Sequence, residues 1–210
     1  MSDVILHDYW RSSAAYRVRI VLNLKGVTYV AHPVDLSRGE QTSDDFLDIN
    51  PQGMIPALEI DGHVLSQSLA IIDYLDAKFE LPRMVSADPL SRSRTLAQAL
   101  VIAADIHPLN NLRVLNYLRA NLGLEGEAVE RWIHQWTASG LAALEGQAPQ
   151  AGLFGGEAPN LADVCLVPQM YNARRFELPL GDYPQLVRID DALRALEAFA
   201  AAAPEAVNPG

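Results

Sequence analysis

The fold of this chain is decided in residues 9–19, which read YWRSSAAYRVR. Before this stretch, residues 4–6 form a short apolar run that is typical of a buried strand. After it, apolar residues recur at the spacing of one helix face. Ser12 and Ser13 stand at the change, where a serine oxygen can accept hydrogen bonds from the unpaired N–H groups of a first helical turn. Because a helix N-terminus also favours anions, the stretch predicts either a simple capped turn or an anion-binding turn.

The composition bounds the class of protein. The chain has 210 residues, half of them apolar, which suffices for one large or two small domains. Its formal net charge of −10 argues against nucleic acid and anionic membranes as partners. The single cysteine, Cys165, excludes an internal disulfide framework, and its apolar surroundings in the sequence predict an inert core residue. Since we find no signal peptide and no apolar run of membrane length, we expect a cytoplasmic protein.

Residues 1–81 alternate between strand and helix patterns. The predicted elements, in chain order, are a strand at 4–6, a helix from Ser13 to about Lys25, a strand at 27–33, a short helix around 44–47, strands at 57–60 and 64–65, and a helix at 69–79. Asp61-Gly62 between the last two strands is a strong hairpin turn. This order predicts a small mixed sheet covered by helices, with the first two strands parallel.

The character of the sequence changes after residue 81. Residues 82–89 contain two prolines and predict a linker, and residues 90–210 show no convincing strand. Helices are expected at 91–121, 125–146, 161–176 and 184–199, with a fraying tail after Pro204. We expect the first of them to be broken around Pro108, because proline interrupts the helical hydrogen bonds. The predicted fold is therefore α/β plus all-α, with an all-helical second domain at 90–210.

Several separated motifs resemble one known family. Ile55-Pro56 stands where thioredoxin-like folds place a cis-proline. Residues 67–71, QSLAI, resemble the segment that binds the γ-glutamyl group in glutathione transferases, and residues 160–163 resemble the capping-box helix start of that family. The resemblance to the zeta class rests on residues 11–20, 105–113, 166–169 and 175–176. It implies a thioredoxin-like N-terminal domain, a C-terminal helical bundle and a homodimer.

The resemblance also implies an activity. Zeta-class members include glutathione-dependent cis–trans isomerases that convert maleylacetoacetate to fumarylacetoacetate in aromatic, tyrosine-type catabolism. In such a reaction a thiolate adds to a double bond, the bond rotates and the thiolate leaves, so that no metal is needed. Three alternatives stay open: a maleylpyruvate isomerase of the gentisate route, a general conjugating or dehalogenating glutathione transferase, and a non-catalytic interaction module with this fold.

The signature of the class is changed here in one respect. It often reads Ser-Ser-Cys-Ser, and this chain has Ser12-Ser13-Ala14-Ala15. The chain thus brings no thiol to the turn, and we expect the cofactor glutathione to supply it. We expect Ser12 to stabilise the thiolate, with Ser13 as the second candidate. For Ser13 the favoured role is that of a plain helix N-cap.

The resemblance assigns further residues to the site. The residues expected to bind glutathione are Ser12, Ser13, Ala14, Arg17, Gln41, Ile55, Pro56, Gln67, Ser68, His107, Asn111 and Arg113. The residues expected to act in catalysis are Ser12, Ser13, Arg11, Arg113 and Arg175. The last three carry guanidinium groups that suit a small dicarboxylate or keto-acid substrate, with Arg174 as the alternative to Arg175. For both Arg17 and Arg19 a structural or subunit-contact role is the favoured expectation, and for His107 a structural role is an equal alternative to ligand binding.

Overall fold

A computed structural model of the protein describes residues 4–208, which divide into two units. One unit contains the described residues through Met84 and those from Ala195 onward, and the other is Val85–Arg194. The predicted boundaries were 1–81, 82–89 and 90–210. The structure therefore differs from the prediction at the C-terminal end, where the last described residues belong with the first unit.

The first unit is built on a four-stranded mixed sheet. Its strands are β1 (Ile5–Asp8), β2 (Val30–Pro33), β3 (Ala57–Ile60) and β4 (His63–Ser66), in the spatial order β2-β1-β3-β4. β1 pairs with β2 in parallel and with β3 antiparallel, and β3 and β4 form the predicted antiparallel hairpin. Leu6 and Leu58 lie opposite each other in the centre of the sheet and are fully buried. The predicted thioredoxin-like arrangement is confirmed.

Three helices belong to the same unit: α1 (Ser13–Leu24), α2 (Asp44–Ile49) and α3 (Ser68–Lys78). α1 packs against α3, and each contributes a buried aliphatic face. The N–H groups of Gly26 and Val27 donate to the carbonyls of Asn23 and Leu22 and close the end of α1. Because these residues finish the helix, β2 begins at Val30 and is shorter than the predicted strand at 27–33.

The second unit is helical. Its helices are α4 (Pro89–Leu100), α5 (Leu112–Leu122), α6 (Glu127–Glu145), α7 (Leu161–Arg175) and α8 (Pro184–Arg194). A wide π-type helix, Val101–Ile106, and a 3-10 turn, Pro108–Asn110, separate α4 from α5. The predicted break around Pro108 is thus confirmed. Cys165 is fully buried in α7, as expected.

A capping box starts α7, as the sequence indicates. The side chain of Asn160 accepts from the backbone N–H groups of Ala162 and Asp163, and the carboxylate of Asp163 accepts from the N–H of Asn160. The same carboxylate also accepts from the N–H groups of Phe154 and Gly155, at 3.0 and 2.9 Å. Burial raises the pKa of Asp163 to about 6, although these three hydrogen bonds act to lower it.

The predicted last helix, 184–199, is interrupted. The chain turns at residues 195–196, and two short helices follow, α9 (Glu197–Ala200) and α10 (Pro204–Val207). Side chains of α1 donate to carbonyl oxygens of this segment: Tyr16 to Phe199 at 3.4 Å, Arg19 to Ala202 at 3.0 Å and Asn23 to Ala198 at 3.0 Å. These bonds explain why the segment joins the first unit. The tail is helical at Pro204–Val207, where fraying was expected.

Candidate active site

The turn between β1 and α1 places Ser12 at the helix start. Ser12 is half-buried and extended, with φ −74° and ψ 119°, and its Oγ accepts from the N–H of Ala15 at 3.2 Å. Ser13 is buried and is the first helical residue, so the expectation that Ser13 supplies the cap is wrong. The reason is backbone conformation, since only the extended residue can turn its side chain back onto the first turn. A hydroxyl that accepts one bond can still donate its own hydrogen.

A buried ion pair holds this turn in place. Arg19, 1% exposed, donates from NH1 to both carboxylate oxygens of Asp8, at 2.7 and 2.8 Å. The Nη2 atom of Arg19 donates to the carbonyl of Trp10 at 3.0 Å. Burial raises the pKa of Asp8, and the charge and hydrogen bonds of Arg19 oppose part of that rise. Arg19 therefore has a structural role, whereas the half-buried Arg11 stacks its guanidinium on the Trp10 ring at 5.0 Å.

The start of α3 forms a second helix N-terminus in the same unit. Gln67, just before it, has a φ of +67°, which is strained for a residue other than glycine. Its side-chain N–H group donates to Gln52 Oε1 at 2.9 Å. Ser68 is buried and accepts from Arg17 Nη1 at 3.3 Å, so the buried Arg17 links the second turn of α1 to the first residue of α3.

Two loops complete this side of the first unit. The Ile55–Pro56 peptide bond before β3 is cis, as predicted. Gln41 lies in a 3-10 turn, Glu40–Thr42, and its Oε1 is buried without a hydrogen-bond partner among the described residues. Gly53 approaches this turn so closely that a Cβ there would lie 3.2 Å from the carbonyl of Gln41, and its φ is +60°. A buried amide oxygen without a partner indicates a place for a donor from a ligand or water.

The second unit carries His107, Asn111 and Arg113 around the start of α5. His107 is half-buried and directly follows the π-type helix. Asn111 is the N-cap of α5, and its Oδ1 accepts from the N–H of Arg113 at 3.1 Å. This leaves the amide N–H₂ of Asn111 as a donor. Arg113 is exposed on the first turn of the helix.

The structure separates the two arginines at the end of α7. Arg174 NH1 lies 2.6 Å from Oδ2 of Asp190, a fully buried carboxylate. Burial raises the pKa of Asp190, and Arg174 opposes part of that rise. Arg175 is exposed, and its guanidinium stacks on the Phe176 ring at 4.9 Å. Phe176 itself packs against the apolar cluster between α5 and α6, so the end of α7 lies beside the helix that carries Arg113.

Ala14, the remaining predicted site residue, is the second residue of α1 and is half-buried. The sequence analysis missed Asp8, the ion-pair partner of Arg19, and Gln52, the partner of Gln67. The only local signal for Asp8 was its place at the end of an apolar strand. In the part of the chain that the structure describes, no three His, Cys, Asp or Glu side chains are grouped so that they could hold a metal ion. Among the same residues, no helix has both the length and the apolar character to cross a membrane.

Comparison with known proteins identifies the family. The sequence pattern of the glutathione S-transferase N-terminal domain matches residues 11–78. The chain is 51% identical to a probable maleylacetoacetate isomerase of Vibrio cholerae, over 98% of this chain and 97% of the relative. The chain belongs to the glutathione S-transferase family. The predicted zeta class is confirmed, and so is the predicted architecture of a thioredoxin-like domain followed by a helical domain.

Solved structures of family members agree with this assignment. One is a holo maleylpyruvate isomerase, described as a bacterial glutathione S-transferase of the zeta class. It is 40% identical, covers 98% of this chain and 99% of its own, and has a TM-score of 0.95. Another is a maleylacetoacetate isomerase of Methylobacterium extorquens AM1 with bound malonate and glutathione. It is 38% identical, covers 96% of this chain and 97% of its own, and has a TM-score of 0.90.

Proposed function

We propose that this glutathione S-transferase is a glutathione-dependent cis–trans isomerase that converts maleylacetoacetate to fumarylacetoacetate. The observation that carries the proposal is the Ser12 turn, a serine hydroxyl fixed at the N-terminus of α1 with no cysteine beside it. The full-length similarity to a probable maleylacetoacetate isomerase supports the choice of substrate. The relative with bound malonate and glutathione supports both the cofactor and a dicarboxylate ligand.

The residues of the first unit suit glutathione. The start of α3 offers the Ser68 hydroxyl and helix N–H groups to a carboxylate, and Gln67 stands beside them. The buried Oε1 of Gln41 is an acceptor without a partner among the described residues, which suits an amide or ammonium donor. Residues of this unit that hold glutathione in this proposal are Ser12, Ser13, Ala14, Arg17, Gln41, Ile55, Pro56, Gln67 and Ser68. Arg17 acts through Ser68, whose oxygen it fixes.

Glutathione supplies the thiol whose ionised form adds to the double bond and leaves again. The chain must therefore favour a thiolate at neutral pH over a thiol with an ordinary pKa near 8.5. Lowering that pKa by about two units requires roughly 2.7 kcal/mol. One hydrogen bond to a charged group contributes about 1.5–3 kcal/mol, so the Ser12 hydroxyl, helped by N–H groups at the start of α1, supplies the right magnitude.

The second unit supplies cations for the substrate. Arg113 and Arg175 are exposed, while Arg174 is held by Asp190, so we assign dicarboxylate binding to the first two. Arg11, beside the Ser12 turn, is the third guanidinium in the proposal. His107, Asn111 and Arg113 also contribute to glutathione binding. In a protein with a net charge of −10, such local cations are needed to attract an anionic substrate.

Maleylpyruvate is the second candidate substrate, because a maleylpyruvate isomerase has a TM-score of 0.95 against this chain. Both substrates should be tested side by side with glutathione in catalytic amounts. We expect faster turnover of maleylacetoacetate with no net loss of glutathione. Faster turnover of maleylpyruvate would reverse the order of the two, and stoichiometric loss of glutathione would identify a conjugating transferase. Inertness toward both substrates, without glutathione binding, would leave a non-catalytic module.

We also propose that the enzyme is a cytoplasmic homodimer. Large apolar side chains are exposed in both units, among them Val64, Leu81, Leu90 and Leu100, and a second copy of the chain would cover part of this surface. A sedimentation experiment tests the oligomeric state, and cell fractionation tests the location. A monomer over the working concentration range would contradict the first part of this proposal.

A further inference from the structure

The segment between the π-type helix and α5, residues 107–111, contains one 3-10 turn, Pro108–Asn110, and no longer helix or strand. We call it the connecting segment. It contains Pro108, which has no N–H to donate, and its internal backbone bonds are long, from Asn110 to His107 at 3.2 Å and from Asn111 to Pro108 at 3.4 Å. Its position must therefore depend on the elements packed against it. This matters because it carries His107 and Asn111, and because Asn111 caps the helix on which Arg113 lies.

Two side chains of α6 hold the connecting segment by hydrogen bonds. The indole N–H of Trp132 donates to the carbonyl of Leu109 at 2.9 Å. The hydroxyl oxygen of Thr137, which is 2% exposed, accepts from Asn110 Nδ2 at 3.1 Å. Both bonds are formed inside the second unit and are partly shielded from water. The two bonds fix consecutive residues of the segment, one through its backbone and one through its side chain.

A third contact fixes the residue just before the segment. Gly140 of α6 faces Ile106, and a Cβ at position 140 would lie 2.3 Å from Ile106 Cδ1 and 2.4 Å from its Cγ1. Ile106 is buried and cannot move aside without disturbing its neighbours. The absence of a side chain at Gly140 thus allows α6 and the π-type helix to approach each other closely.

We propose that Trp132, Thr137 and Gly140 are positioning residues for the reaction. They hold the connecting segment against α6, and through it they set where His107, Asn111 and the first turn of α5 with Arg113 lie. None of the three has a role in the chemistry itself. What the positioned groups bind, a dicarboxylate together with glutathione, rests on the proposed function.

Each hydrogen bond can be removed by a single substitution, of which only Thr137→Val keeps the shape of the side chain. Trp132→Phe keeps an aromatic ring but loses the N–H, and Thr137→Val keeps the volume but loses the hydroxyl. A net hydrogen bond of about 1 kcal/mol corresponds to about a fivefold effect, so we expect each variant to raise the KM for the dicarboxylate substrate about fivefold. The dissociation constant for malonate, measured by calorimetry with glutathione present, should rise by a similar factor. Affinity for glutathione alone should change less, because most of its proposed contacts lie in the first unit.

Two matched controls come from the same helix. Trp136→Phe removes an indole that is 38% exposed and packs edge-on against Trp132 at 5.7 Å, and it should leave these constants unchanged. Thr137→Ser keeps a hydroxyl and should restore malonate affinity relative to Thr137→Val. Gly140→Ala should have the largest effect of the set, because the added methyl group collides with Ile106.

Amide hydrogen exchange of peptides that cover residues 106–113 gives a readout that does not depend on activity. Trp132→Phe and Thr137→Val should raise exchange there about fivefold, whereas Trp136→Phe and Thr137→Ser should behave as the unmodified protein does. Unchanged exchange and unchanged malonate affinity in both test variants would overturn the positioning role. If exchange rises while malonate binding stays the same, the anchoring is real but the positioning role is refuted. If the unmodified enzyme turns over neither substrate, the proposed function fails, and exchange still decides whether α6 anchors the segment.

Discussion

Each unit buries an aspartate near the start of a helix, and the two carboxylates are stabilised in different ways. Asp8 stands before α1 and has an arginine partner, Arg19, at 2.7 and 2.8 Å. Asp163 lies in the first turn of α7, and its carboxylate accepts from three backbone N–H groups. The charge of Asp8 is thus neutralised by a cation, while the hydrogen bonds to the Asp163 carboxylate come from peptide N–H groups. The Ser12 turn should therefore be sensitive to loss of Arg19, and the start of α7 should be sensitive to pH.

The largest expected effect comes from removing the cation. Arg19→Met would leave the Asp8 carboxylate buried without a charge partner, which typically costs about 3–5 kcal/mol of folding free energy. It would also free the carbonyls of Trp10 and Ala202. Urea denaturation followed by circular dichroism measures the change. The double variant Asp8→Asn, Arg19→Met should recover part of the loss, and a loss below about 1 kcal/mol in the single variant would contradict a stabilising pair.

A pH titration tests the other carboxylate. In the unfolded chain an aspartate titrates near about 3.9, whereas Asp163 in the folded protein titrates at about 6. Between these values the folded protein binds more protons than the unfolded chain does. The free energy of unfolding should therefore fall as pH rises from about 4 to about 6, by up to about 3 kcal/mol from this group. Asp163→Asn should be less stable overall but should lose this part of the slope, and an identical slope in both proteins would refute the assignment.

Ser12 tests whether the structure around Asp8 serves catalysis. Loss of a hydrogen bond to an anion, about 1.5–3 kcal/mol, predicts that Ser12→Ala lowers turnover about 10- to 100-fold, with much less effect on glutathione affinity. Ser12→Gly is the informative partner, because glycine loses only a few tenths of a kcal/mol as a helix cap. Steady-state kinetics and calorimetry measure both quantities. If Ser12→Gly keeps full turnover, the stabilising group must be Ser13 or backbone N–H groups.

The smallest expected effect compares the two arginines of α7. Arg175→Met should raise the KM for the dicarboxylate about tenfold, the value of one exposed charge-assisted contact, and should lower thermal stability less than Arg174→Met does. Arg174→Met should mainly lower the melting temperature, because it removes the partner of the buried Asp190. The opposite pattern, with Arg174→Met affecting only KM, would exchange the roles of the two residues.

The elements that were predicted correctly have local sequence patterns. The features that were missed depend on partners far away in the sequence. Asp61-Gly62 located the hairpin, Asn160 and Asp163 located the start of α7, and Pro108 located the break before α5, because each of these signals acts within a few residues. By contrast, β1 extends over two polar residues beyond its apolar run. His7 Nε2 lies 2.6 Å from Oε1 of Glu59, 52 residues away, and Asp8 pairs with Arg19. No local pattern reveals such partners.

The site shows the same limit. The positions of Ser12, Gln67 and Ser68 at helix starts could be predicted because helix starts have a local sequence signature. Which of two adjacent serines caps α1 depended on backbone conformation, and which of two adjacent arginines forms an ion pair depended on Asp190, a residue of another helix. The sequence analysis placed the last residues in the helical domain. The bonds that join them to Tyr16, Arg19 and Asn23 connect positions about 180 residues apart, and no local pattern indicates such bonds.

The bonds between α1 and the last helices have a consequence for synthesis of the protein on the ribosome. Chains generally fold in the order in which they are made, domain by domain. Here the carbonyl groups that complete the surroundings of Arg19 and Tyr16 belong to Phe199 and Ala202, which are translated after the whole second unit. The first unit cannot be finished until the second has already been translated. A stop codon or a bulky fusion placed shortly after Arg194 would therefore impair the N-terminal unit more than the helical unit, although the helical unit lies directly before that point in the sequence.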